Sequence, residues 1–120
     1  MIPVTPVTLL LVANTVAAVA STAFAVVGGV RPAALTASDP PTGGERFYGW
    51  MYAARGLPLG VAAGVVPLLW SGPATAAVLY AAAAAQVGDA AIGVARRKWT
   101  MIAGPLLLTA IHVATAVALR

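Results

Sequence analysis

Residues 80–98 read YAAAAAQVGDAAIGVARRK. A run of small apolar residues carries Gln86 and Asp89 in its second half and stops at the basic triplet Arg96, Arg97 and Lys98. Apolar flanks this long mark a membrane span, which places Asp89 below the headgroups. A carboxylate at that depth costs about 2.5–3.5 kcal/mol on insertion scales, so it is a functional-site hypothesis from the outset. The first question the chain poses is what Asp89 pairs with.

Four apolar segments are long enough to cross a bilayer, which takes about 20 helical residues. They cover roughly 6–30, 47–70, 73–95 and 99–119. Of 120 residues, 61% are hydrophobic and 8% charged, against about 25% charged in soluble domains. A soluble chain of this size cannot hide so much apolar surface, so the expected solvent is lipid. The fold class is therefore all-α: a polytopic membrane protein, one domain over 1–120, built as a four-transmembrane-helix bundle. Prolines sit near the starts of the first and third segments, where a missing N–H costs nothing. Trp50, Trp70 and Trp99 fall near segment ends, as interfacial anchors do. No Lys or Arg precedes the first apolar run. A signal peptide needs a basic n-region, so the first segment is expected to be a retained span.

The net charge of +4 does not point to nucleic acid. Five of the seven basic residues, Arg31, Arg46, Arg96, Arg97 and Lys98, fall in two loops on one face of the membrane. The positive-inside bias makes that face cytoplasmic and both termini extracytoplasmic in the inner (plasma) membrane. The polar cytoplasmic loop 31–46 holds Asp39 and Glu45, the only acids besides Asp89. It reads as a solvated connection or, functionally, as a lid.

Depth follows from a helical rise of about 1.5 Å per residue. Arg55 lies eight residues past Phe47 and Asp89 seven before Arg96. Both are roughly 10–12 Å from the cytoplasmic end. Two opposite charges at one level predict an Arg55–Asp89 pair between the second and third helices, gripped by up to two parallel hydrogen bonds. The plain alternative is a structural clasp that fixes register. Gln86 is one turn from Asp89 on the same face. Tyr48, Tyr52 and Arg55 share a stripe of the second helix. Thr109 and His112 share a face of the fourth, and Asn14 and Ser21 a face of the first. Counted from the cytoplasmic side, His112 is about 20 Å in, deeper than Asp89 by more than a side chain's reach unless Gln86 or water bridges them.

His112 is the only histidine and there is no cysteine. With Asp89 it makes at most a poor two-ligand site, so no metal is expected; no cofactor motif is present either. As an acid–base group it is suited to neutral pH by its unperturbed pKa of about 6.5. Gly56, Gly60 and Gly64 repeat every four residues, a spacing that lets helix backbones approach. The alanine-rich third helix is the expected neighbour, with a homodimer seam as the alternative. Pro58 and Pro67 should kink the second helix and Pro105 the fourth.

The motifs ARGLPLG at 54–60, VGDA at 87–90 and IHVATA at 111–116 resemble the DoxX-like group of small four-helix bacterial membrane proteins, in particular an uncharacterised subgroup with an Arg, a Gly-Asp and a late His. The resemblance spans roughly 32–116. It implies a compact four-helix bundle, and it groups Arg55, Asp89 and His112 as one set. It implies no activity for the subgroup.

Three functions compete. The first is a buried Arg-Asp-centred polar pocket for a small lipophilic molecule. Asp89, His112 and Arg55 would be the catalytic set, and Gln86, Tyr52, Asn14, Ser21 and Thr109 the substrate contacts. Its chemistry would be acid–base: isomerisation, cyclisation or epoxide opening. The second is a small dimeric transporter. The third is a non-catalytic accessory or scaffold subunit with a structural clasp.

Overall fold

A computed structural model describes residues 4–34 and 40–120. Four helices account for nearly all of it: α1 (Pro6–Val30), α2 (Gly43–Leu69), α3 (Pro73–Ala95) and α4 (Thr100–Leu119). All four are long and apolar enough to cross a membrane, and among the described residues there is no strand. The chain is a multi-pass membrane protein with a four-helix bundle.

Local chemistry sets the helix ends. The Thr5 side chain accepts from the Thr8 N–H, and Pro6 opens α1. α2 starts four residues earlier than the hydropathy suggests. Thr42 accepts from the Glu45 N–H while the Glu45 carboxylate accepts from the Thr42 N–H. This reciprocal cap satisfies two donors that a helix start otherwise leaves open. Residues 43–46 therefore belong to the helix and not to the expected loop. A short 3₁₀ turn, Pro32–Ala34, follows α1. Asp39, and with it much of the suggested lid, lies outside the described residues.

Gly72 has φ 111° and its N–H donates to the Leu119 carbonyl at 2.6 Å, tying the α2–α3 turn to the end of α4. Arg97, at φ 53°, closes α3. Its N–H reaches Val94 O at 3.1 Å and the Lys98 N–H reaches Gly93 O at 2.9 Å. This is the paired-bond C-terminal cap that glycine usually supplies.

The helices pack as two hairpins. Contacts within α1–α2 and within α3–α4 are dense, and those across α1–α4 and α2–α3 are sparser. The glycine repeat explains the first hairpin and corrects its expected partner. A Cβ on Gly56 would come within 2.8 Å of Ala25 Cβ, and one on Gly64 within 3.1 Å of Ala18 Cβ. One on Gly60 would collide with Thr22 Oγ1, and one on Gly49 with the Gly28 carbonyl. All four face α1 and not α3, and Gly49 extends the stripe by two turns. α2 runs unbroken through Pro58 and Pro67. The centre is small and apolar, formed by Leu79, Ala63, Ala76, Ala82 and Ala116. Larger residues such as Val16, Phe24, Leu68, Ile92 and Leu107 point outward, the arrangement expected where lipid is the solvent.

Candidate functional site

Two polar links cross the sparse seams between the hairpins, at different depths. Nearer the loops that carry the basic residues, Arg55 Nη2–H donates to Asp89 Oδ1 at 2.8 Å. This joins α2 to α3 as the depth count requires. One hydrogen bond of the possible two is made. The pair differs from expectation in not being buried: the Arg55 side chain is 43% exposed and that of Asp89 20%. The guanidinium lies 5.7 Å from the Tyr52 ring centre, within cation–π range, so the i, i+3 stripe on α2 presents both groups to one place.

The second link is sealed. Asn14 and His112 are both 0% exposed. Asn14 Nδ2–H donates to the Ala63 carbonyl at 2.8 Å, and Asn14 Oδ1 lies 2.7 Å from His112 Nδ1. The chain of cause starts at Pro67. A helical carbonyl normally accepts from the N–H four residues on, and proline has none. Pro67 thus leaves the Ala63 carbonyl without its helical donor, and Asn14 of α1 supplies one. The link joins α1, α2 and α4. Thr115 of α4, also fully buried, donates to Ile111 O at 2.7 Å and lies 3.5 Å from Leu10 O of α1.

A cleft lies between the two links. Ser21, Tyr52, Arg55, Gln86, Asp89 and His112 line it, with Gly56, Leu59, Gly60, Ala63, Ala82 and Ala85 as its apolar walls. Six polar residues singled out in the sequence therefore meet. Two others do not. Asn14 stands behind His112 as its hydrogen-bond partner. The Thr109 hydroxyl donates to the Pro105 carbonyl of its own helix at 2.8 Å, and Thr109 is not among the lining residues. His112 Nε2 is buried and has no hydrogen-bond partner among the described residues. Ser21 Oγ donates back to Ala18 O at 3.2 Å.

The cleft holds about 20 Å³, enough for a water or a single small polar group. Pockets that enclose a drug-sized molecule run to roughly 300–1,000 Å³, so no whole ligand is swallowed here. A larger groove of about 430 Å³ runs along α1 and α2, lined by Val19, Val26, Val61, Val65 and Leu68 among others. It is apolar and touches the cleft residues only at Gly60. Among the described residues no three potential metal-ligating side chains gather.

Chemically, the cleft sets two proton acceptors, the Asp89 carboxylate and the imidazole, beside a guanidinium and an amide. Comparison with protein-family models, curated proteins and solved structures finds no match for the chain.

Proposed function

We propose that this chain is a small bacterial inner-membrane protein of DoxX-like type that binds the polar end of a small lipophilic molecule in the cleft between the two links. The body of the ligand lies outside the cleft, along the membrane-facing helices, because the enclosed room suits a head group alone. Asp89 and His112 supply acid–base chemistry at that head, of the kind used in isomerisation, cyclisation or epoxide opening. Arg55 holds Asp89 in place, and Gln86 and Tyr52 border the entry. Both termini are extracytoplasmic, so the Arg55 side of the cleft faces the cytoplasm.

The observation that carries this reading is His112 Nε2, a buried polar atom without a partner among the described residues, on a side chain that lines the same cleft as an ion pair left partly open. Buried polar atoms are normally satisfied, and a purely structural bundle has no use for one left bare. The test is extraction of the protein from membranes and mass spectrometry of what co-purifies. Wild-type protein retains a lipophilic molecule that Asp89→Asn and His112→Gln lose while still folding. Identical small-molecule content in all three proteins would end the proposal.

The clasp reading has its own support, because both links span the seams between the hairpins, where helix contacts are sparser. Exchange of the charges, Arg55→Asp with Asp89→Arg, separates the two. A clasp regains both folding and cellular activity, and a ligand site regains folding alone.

A further inference from the structure

The sealed link fixes more than helix positions. The Ala63 carbonyl can only accept a hydrogen bond. The group of Asn14 that meets it at 2.8 Å must therefore be the amide nitrogen. That settles the orientation of the amide and turns its oxygen to His112. An amide oxygen only accepts, so Nδ1, 2.7 Å away, carries the hydrogen. In a neutral imidazole the other nitrogen is then a bare acceptor. Pro67, Ala63 and Asn14 thus act in series to leave Nε2 with a lone pair. His112 lines the cleft, and Nε2, the ring nitrogen not engaged by Asn14, is the one buried without a hydrogen-bond partner among the described residues.

We infer that the head group received by the cleft is a hydroxyl, that of an alcohol or phenol, donating to His112 Nε2, with Asn14 as the positioning residue that sets the tautomer. This rests on the cleft being a head-group site and names the head. A hydroxyl has the size of the water that about 20 Å³ admits. It also both donates and accepts, so its oxygen can take a hydrogen bond from the Gln86 amide or the Arg55 guanidinium while its hydrogen goes to Nε2. Other heads fail on at least one count. A carbonyl or ether has no hydrogen to give Nε2. A carboxylate has none either and meets Asp89. An ammonium brings a second cation beside Arg55 and has nothing with which to accept.

The test uses the intact protein in lipid nanodiscs, labelled with ¹⁵N-histidine. Because His112 is the sole histidine, the spectrum reports one ring. Without ligand, Nδ1 is expected protonated and Nε2 bare. Added 1-decanol shifts the Nε2 resonance, and decyl methyl ether does so at least roughly tenfold more weakly in concentration, the scale of one donor left unmade. In Asn14→Ala the Nδ1–H preference falls, and the wild-type spectrum carries the test if that variant does not fold. A ring with hydrogen on Nε2, alone or together with Nδ1, overturns the inference. So does equal response to decanol and its ether, which would leave a head-group site indifferent to hydroxyls. If neither probe moves the resonance, the head-group site itself fails and the inference falls with it.

Discussion

The Arg55–Asp89 and Asn14–His112 links do similar work by opposite means. One is charged, partly exposed and made by a single hydrogen bond. The other joins an amide to an imidazole, is sealed, and is continued into the backbone of a third helix. The ion pair is open on one side to whatever surrounds the bundle, and an ion pair open to water contributes little net energy. A sealed link has no such opening, so each partner depends on the other. The lesson is that the stronger electrostatic pair is not the stronger fastening. The charges stand on the cleft with one side open, and the sealed amide–imidazole pair is expected to be the firmer fastening.

That contrast is open to attack in order of effect. Asn14→Ala should cost about 1–3 kcal/mol of stability, since it orphans both the Ala63 carbonyl and the His112 Nδ1–H. Unfolding titrated with denaturing detergent measures it. A loss near the 0.6 kcal/mol average for hydrogen bonds between membrane helices would make the link ordinary. The Asn14→Ala, His112→Ala double mutant should cost less than the sum of its parts, with a coupling of about 0.5–3 kcal/mol; simple addition would show that the two residues act separately. Where water reaches the open side of the pair, Asp89→Asn should cost no more than about 1 kcal/mol, and added salt should narrow the gap to wild type, because water-exposed charges are screened. A loss larger than that of Asn14→Ala would invert the comparison. Arg97→Gly touches neither link. It removes the strain of a side chain at φ 53°, which costs about 1–2 kcal/mol, and loses about 0.5–1 kcal/mol to the greater freedom of glycine. A gain of a few tenths of a kcal/mol on the same scale calibrates the others.

The two links also differ in how far the sequence foretold them. Arg55 and Asp89 were paired by counting residues from one membrane face, a one-dimensional argument that needs no knowledge of which helices are neighbours. The same count from the opposite face carries the other link. Asn14 lies eight residues past Pro6, Ala63 six before Leu69 and His112 seven before Leu119. Pro67 marks the carbonyl that needs a donor, and Asn14 is the only asparagine in the chain. A depth for His112 taken from the cytoplasmic side conceals this match, and Asn14 and Thr109 then read as ligand contacts. The glycine stripe was legible as a packing face, but its partner was not. Small residues on α1 and α3 look alike in sequence, and only helix adjacency separates them.

The sequence alone determined the solvent, the number of spans, most of their limits and the level at which opposite charges meet. Those follow from hydropathy, length and rise per residue, all properties of single helices. Tertiary structure alone decided that α2 lies on α1 through glycine, that the ion pair stands open, and that a proline-freed carbonyl orients Asn14 and through it His112. These depend on which helix faces which and at what angle, and side-chain packing, not local propensity, sets that choice.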